Sequence, residues 1–258
     1  MVFQLMEYII SFVGLSNIGL VRQNNEDYWA YLEPERLFIL ADGMGGHKGG
    51  EVASHEAVEY LGVFFKRGFE ESNQTLDGVM KAMFESICEM NRIIYRMSRQ
   101  FSELRGMGTT LCCVHIHSEG IVYGHVGDSR IYRLRNEKLT RLTQDHSLLR
   151  ELIDLGQLSE QQEEGFPYKN ILTKAIGTES YIEPSIRIDS IEAEDILLLC
   201  SDGLTDMLSD SEIQSILLTE TEKPAEMLIE KALERGGRDN ITLVLIFINR
   251  NDELSYLS

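Results

Sequence analysis

The stretch Leu37-Phe38-Ile39-Leu40-Ala41-Asp42-Gly43-Met44-Gly45-Gly46 decides how the rest of the chain is read. Five apolar residues end in a carboxylate, and glycines then let the backbone turn without side chains in the way. The pattern returns in Ile121-Val122-Tyr123-Gly124-His125-Val126-Gly127-Asp128 and in Ile196-Leu197-Leu198-Leu199-Cys200-Ser201-Asp202-Gly203. It is mirrored where Gly236-Gly237-Arg238-Asp239-Asn240 leads into the apolar run from Ile241 to Ile248. Asp42, Asp128, Asp202 and Asp239 therefore sit at strand ends. Antiparallel packing sets the end of one strand beside the start of the next, so all four can gather at one edge. Crowded carboxylates repel unless a cation sits among them, and hard oxygen donors suit magnesium, manganese or calcium. A divalent-metal site is the expectation.

Outward from these aspartates, the pattern alternates in blocks. Short strands over 7–14 and 27–32 flank the polar loop Ser16 to Asp27, a candidate binding surface. Helical spacing covers 49–67 and about 75–100, where a methionine-rich stripe reads as core packing. An antiparallel meander follows from 108 to 143, and Asp145 is placed to cap a helix closed by Gly156. Residues 157–185 show weak periodicity, and an irregular stretch of this length in a compact domain is functional or mobile. A strand over 195–201, a helix near 210–219 capped by Ser209 or Asp210, and a helix from Pro224 to Gly236 complete the chain before its last strand. Strands in blocks between blocks of helices indicate an α+β fold, with helices covering a pair of antiparallel sheets, rather than a doubly wound βαβ fold.

The 258 residues are 43% apolar, enough for one large core, and no linker or repeat divides them, so a single domain over 1–258 is expected. A formal charge of −18, from 42 acidic and 24 basic residues, disfavours nucleic acid or an anionic membrane as main partner. Cys88, Cys112, Cys113 and Cys200 lack CxxC spacing and lie in apolar or helical stretches, which fits reduced thiols in a cytoplasmic setting. The first ten residues lack a basic region and are interrupted by Glu7, and no apolar run reaches the ~20 residues that span a bilayer. A soluble protein follows.

Six ordered motifs carry a more specific signal. They are Gly19-x-x-Arg22-x-x-Asn25-Glu26-Asp27, Ala41-Asp42-Gly43-Met44-Gly45-Gly46-His47, Gly106-Met107-Gly108-Thr109-Thr110, Val126-Gly127-Asp128-Ser129-Arg130, Cys200-Ser201-Asp202-Gly203-Leu204 and Gly237-Arg238-Asp239-Asn240-Ile241-Thr242. Their order resembles that of metal-dependent Ser/Thr protein phosphatases of type 2C, over residues 11 to 248. The strings Asp145-His146-Ser147-Leu148-Leu149 and Asn170-Ile171-Leu172-Thr173-Lys174-Ala175-Ile176-Gly177 resemble the bacterial branch that opposes Hanks-type kinases. The resemblance implies a four-layer αββα sandwich. It also implies two divalent cations, manganese or magnesium, bridged by Asp42, with the Gly43 carbonyl on one and Asp202 and Asp239 on the other. Glu26 and Asp27 are expected near the pair through water, and Asp128 with Asp202 at a weaker third cation. Arg22 resembles the residue that grips substrate phosphate.

The chemistry suits those residue types. A phosphate monoester dianion repels hydroxide, so the site must supply positive charge and a nucleophile at neutral pH, and two cations sharing a water do both. Arg22 offers a planar fork of donors for phosphate oxygens. No phosphoenzyme is required, and no CxxxxxR loop provides a thiol nucleophile. The implied partners are phosphorylated proteins, with a Ser/Thr kinase and its substrates, met by a monomer. The alternatives are a phosphatase dedicated to one signalling regulator, and a silent binding domain of the same fold; a silent domain commonly loses metal aspartates that are all kept here.

The chain also departs from the pattern. Asn17 stands where aspartate is frequent, Met44 where eukaryotic members carry a histidine acid, and Phe166 where a histidine is common before Pro167. His47 reads as a helix-start residue, Arg130 and Arg238 as partners of the carboxylates, and His146 and Ser147 as a packing residue and a cap. With Met44 in place of an acid, protonation of the leaving group falls to water.

Overall fold

The computed structural model describes residues 1–5, 8–45, 49–159, 166–168, 170–220 and 222–251. Strands β1 (Val2–Leu5), β2 (Tyr8–Asn17), β3 (Asp27–Leu32) and β4 (Leu37–Met44) come first, then helices α1 (Gly49–Glu71) and α2 (Leu76–Gln100). The central block holds β5 (Gly108–Thr109), β6 (Leu111–His117), β7 (Gly120–Val126), β8 (Arg130–Arg135), β9 (Lys138–Arg141) and α3 (Leu148–Asp154). The last block is β10 (Ser185–Asp189), β11 (Ile196–Cys200), α4 (Asp202–Thr205), α5 (Asp210–Thr219), α6 (Pro224–Glu234) and β12 (Ile241–Arg250).

The strands form two antiparallel sheets. One runs β1-β2-β12-β11-β8-β9, and the other runs β10-β7-β6-β4-β3 with β5 beside β4. Three apolar clusters separate four layers. The first joins Ala57, Leu61, Met83, Ile87 and Ile94 of α1 and α2 to Leu37, Ile39 and Val122 of the second sheet. Between the sheets lie Phe12, Phe38, Leu40, Val114, Leu199 and Val244. The third packs Leu204, Ile213, Leu217 and Leu228 of α4 to α6 under Leu198, Leu243 and Leu245. This is the expected αββα arrangement.

Local chemistry explains the elements. In α2, Val79, Met83, Ile87, Met90 and Ile94 recur every three or four residues and are buried, and Thr75 Oγ1 accepts the Gly78 N–H at 3.1 Å. Each such side chain contributes roughly 1.5–3 kcal/mol on burial. The methionine stripe is therefore core. In α5 the expected Ser209 forms a reciprocal capping box with Glu212.

Three expectations need correction. Asp145 does not cap α3: Ser147 does, accepting the Arg150 N–H at 3.3 Å, while Asp145 pairs with Arg130 at 2.6 Å. The strand expected over 7–14 is present as β2 but runs on to Asn17 and is half of a hairpin, because Val2 to Leu5 pair back on Tyr8 to Ser11. Within 157–185, the described part from Asn170 onward is anchored rather than irregular throughout. Asn91 Oδ1 accepts the Gly177 N–H at 2.8 Å, Asn91 Nδ2 donates to Glu179 O at 3.0 Å, and Thr109 and Ile176 form an isolated bridge. Residues 160–165 and 169 of that stretch lie outside the described residues.

Candidate active site

The predicted aspartates meet at one end of the sandwich for a topological reason. β4 and β7 both pair antiparallel with β6, so their C-terminal ends point the same way and carry Asp42 and Asp128 together. On the facing sheet, the end of β11 lies beside the start of β12, with Cys200 opposite Leu243, which brings Asp202 and Asp239 to one rim. Asp27 is the direct cross-strand partner of Asp42. A cleft of about 240 Å³ opens there, lined by Arg22, Glu26, Asp42, Asp128, Asp202 and Asp239, among others. Gly43, Met44, Asn170 and Leu172 also line it.

The motif residues without charge hold the charged ones in place. Thr110 Oγ1 accepts the Asp42 N–H at 3.0 Å, while Thr109 Oγ1 and the Thr110 N–H both donate to Asp42 O at 2.9 Å. Thr110 Oγ1 also shares a 2.6 Å bond with Ser129 Oγ, next to Asp128. Asn240 serves the other wall. Its Nδ2 donates to Ile18 O at 2.9 Å and Asn24 O at 3.0 Å, its Oδ1 accepts the Glu26 N–H at 2.8 Å, and its own N–H reaches Asp239 Oδ1 at 2.8 Å. Ser201 Oγ donates to Asp27 Oδ2 at 2.8 Å.

Glycines permit the close approach of these segments. A Cβ on Gly43 would sit 2.1 Å from Gly50 O, and one on Gly203 would sit 2.0 Å from Asn240 O. Asn17, where aspartate is frequent, uses its Oδ1 to accept the Gly19 N–H at 2.9 Å and so shapes the turn that leads to Arg22.

The electrostatics are those of carboxylates forced together. Burial and then the charge of Asp27, Asp202, Asp128 and Asp239 hold Asp42 well above the usual carboxylate range. Asp202 is raised in the same way, by burial and by Asp128, Asp206, Asp239 and Asp27. Burial pushes Asp27 up to about 6 against the hydrogen bonds it accepts, and Asp128 to about 6 with Asp145 adding repulsion. Asp27 Oδ1 is buried with no hydrogen-bond partner. Arg22, the basic residue among the described lining residues, bonds Asp239 Oδ2 at 2.6 Å at the exposed mouth.

These features fit divalent cations: hard oxygen donors, repulsion that a cation relieves, and an orphaned carboxylate oxygen. Among the described residues no three acidic, histidine or cysteine side chains close into a finished ligand group. Asp239, for one, is already engaged by Arg22 and Asn240.

A family model for protein phosphatase 2C matches residues 19–235. The chain belongs to the protein phosphatase 2C family. This phosphatase is 39% identical over 243 residues to protein phosphatase PhpP of Streptococcus pneumoniae, covering 92% of this chain and 97% of that one. It is 38% identical over 233 residues to the serine/threonine phosphatase stp of Listeria monocytogenes, covering 88% and 92%. The solved S. agalactiae serine/threonine phosphatase superposes with a TM-score of 0.85 at 39% identity, covering 92% of this chain and 99% of that one. The catalytic domain of PstP, solved in complex with 2 manganese ions, gives 0.81 at 33% identity, covering 94% and 99%. The protein is a type 2C Ser/Thr protein phosphatase, of a family that is metal-dependent.

Several site partners of this phosphatase were not readable from the sequence. Arg130 partners Asp145 through Nε and Nη2 rather than a cleft aspartate, and Arg238 is exposed. His146 is more than packing. It stacks on His125 with centroids 4.5 Å apart, its Nδ1 accepts the Gly127 N–H at 3.2 Å, and its N–H donates to Gly127 O at 2.9 Å. Its own carbonyl accepts the Thr173 N–H at 2.9 Å, tying the turn before Asp128 to the segment that carries Asn170 and Leu172. The motif Asp145-His146-Ser147 was the available signal. His47 lies outside the described residues.

Proposed function

We propose that the acidic cleft is where this phosphatase hydrolyses phosphoserine and phosphothreonine esters of proteins. The observation that supports this is the gathering of Asp42, Asp128, Asp202 and Asp239 around one cavity with Arg22 at its mouth. Two cations, manganese or magnesium, would be held by Asp42, the Gly43 carbonyl, Asp202 and Asp239, with Glu26 and Asp27 supporting them through water and Asp128 with Asp202 at a third. Bound there, they would supply positive charge to the phosphate dianion and would lower the pKa of water toward neutrality.

The chain's own groups do the rest. Arg22 leaves Asp239 to bind two phosphate oxygens through its planar fork, orienting the group and balancing charge that develops in the transition state. Thr109 and Thr110 fix the Asp42 backbone, so the point from which its carboxylate enters the cleft is set in advance. No phosphoenzyme forms on sulfur: burial raises Cys112 far above the usual thiol range and Cys113 and Cys200 to about 12, which leaves these thiols protonated. Met44 lines the cleft and is no acid, so water protonates the leaving alkoxide.

We read the chain as one domain, monomeric and cytoplasmic, opposing a Ser/Thr kinase. No described helix is long and apolar enough to cross a membrane. The test is turnover of a phosphothreonine peptide and of para-nitrophenyl phosphate by the purified chain, with manganese and then with chelator. Manganese-dependent release of phosphate is expected. Hydrolysis that survives full metal removal would overturn the metal reading, and no turnover with manganese would leave a binding domain.

A further inference from the structure

The cleft is polar and acidic, yet exposed apolar residues directly adjoin its lining residues Arg22, Asn170 and Leu172 in the chain. On the wall that carries Arg22, Ile18, Leu20 and Val21 are 39%, 67% and 66% exposed. These are not side chains of a loose loop. The Leu20 N–H donates to Gly237 O at 2.7 Å, Asn17 holds the Gly19 N–H, and Asn240 holds the carbonyls of Ile18 and Asn24 on either side. Gly19 has a φ of +80°, and a Cβ there would lie 2.2 Å from Asp239 O, so the loop is packed directly on the strand entry that bears a cleft aspartate. A backbone fixed this firmly leaves Leu20 and Val21 presented to water, with Arg22 next in the chain.

On the opposite wall, Asn170 and Leu172 line the cleft while Tyr168 and Ile171 are exposed, at 57% and 46%. That wall is also held, since the Leu148 N–H donates to Ile171 O at 2.8 Å and the Ile171 N–H to Tyr168 O at 3.2 Å. Charge narrows the occupant. Acidic side chains beside the phosphate would meet Glu26 and Asp239 and a chain of formal charge −18, with Arg22 committed to the phosphate itself.

We infer that Leu20 and Val21, with Tyr168 and Ile171 across the cleft, select phosphoprotein segments whose side chains next to the phosphorylated residue are apolar. The inference rests on the reading of the cleft as the phosphatase site, because continuity with Arg22 is what makes the rim a substrate surface. Substrate backbone lying in the cleft places its neighbouring side chains on the two rims, and the preformed loop adds little ordering cost.

The test compares three phosphothreonine peptides identical except for leucine, serine or aspartate on both sides of the phosphothreonine, with para-nitrophenyl phosphate as a substrate that has no flanks. In the intact protein, kcat/KM for the leucine peptide should exceed that for the serine peptide by roughly 10-fold, as expected for burying an aliphatic side chain. The aspartate peptide should be poorer still. The double variant Leu20→Ser, Val21→Ser should lose most of the leucine preference while keeping para-nitrophenyl phosphate turnover and manganese dependence. Because Leu20 also packs near Gly237, Val21→Ser alone and Ile171→Ser provide variants outside that contact, each expected to lose part of the preference. Equal kcat/KM for leucine and serine peptides, or a preference untouched in all three variants, would overturn the inference. Loss of all turnover with manganese in the intact protein would instead fail the phosphatase reading of the cleft.

Discussion

Two groups of carboxylates in this molecule are withdrawn from water, and they are treated in opposite ways. Asp195, 2% exposed at the turn before β11, accepts from Arg135 Nε at 2.7 Å and Nη2 at 2.5 Å and from the Glu192 N–H at 3.0 Å. Arg135 in turn bonds Glu192 at 2.6 Å. Asp42, Asp128 and Asp202 repel one another, and Arg22 bonds Asp239 at the exposed mouth. Where a carboxylate serves the fold, its counter-charge comes from the same chain. Where carboxylates gather in the cleft, Asp42 and Asp202 are surrounded by like charges, and a bound cation would supply the counter-charge.

Substitutions at the two places should therefore separate activity from stability. Asp42→Asn is expected to lower kcat/KM more than about 10²-fold, since removing even an outer supporting group of a metal centre costs ~10–100-fold. In chelator, its melting temperature should be no lower than that of the parent, because one charge has left a repelling group. A clearly lower one would mean that Asp42 is a structural acid. Asp195→Ala should do the reverse, costing about 2 kcal/mol in urea denaturation by removing the charged hydrogen bonds that Arg135 and the Glu192 N–H make to it, with activity per folded molecule retained. Equal stability there would erase the contrast.

Next in size is the response to metal and pH. Carboxylates raised in the folded state favour the metal-free fold below their unfolded pKa near 4 and lose that contribution as pH rises through their folded values. Those are about 6 for Asp27 and Asp128. Manganese should therefore raise the melting temperature more at pH 7.5 than at pH 5, and an equal gain at both would remove repulsion as the reason for metal binding. The smallest effect concerns Arg22, which is nearly half exposed. Arg22→Ala should tighten manganese binding at most a few-fold in calorimetry without substrate, since surface pairs contribute ~0.2–1 kcal/mol, while phosphopeptide turnover falls. Weakened manganese binding would contradict its role as a competitor for Asp239.

The sequence showed which residues gather in the cleft better than it showed what they touch. Four aspartates at strand ends were legible because strand periodicity and glycine breaks are local signals, and antiparallel order then placed them together. The capping role of Asp145 was misread for a physical reason. An aspartate just before a helix is a good local cap, but Asp145 lies three residues ahead of Leu148, and Arg130, brought alongside by β8, holds it through three hydrogen bonds. The same limit applies to His146, whose backbone and ring partners Gly127 and Thr173 lie 19 and 27 positions away, a separation that no local pattern encodes. Strand β10 was missed although polar and apolar residues alternate from Ser185 to Asp189, because five residues next to an irregular stretch give too short a signal.

The pairing of Asp27 with Asp42 carries one more consequence. In a β-sheet, a slip of a single residue turns every side chain of the strand to the opposite face. A molecule whose β3 had annealed one position out of step on β4 would still bury apolar residues, but it would hold its acids on opposite sides of the sheet. Catalytic competence therefore doubles as a proofreading mark for assembly: in a refolded or heat-challenged population, the fraction of molecules that turn over should count those with this strand pair in register.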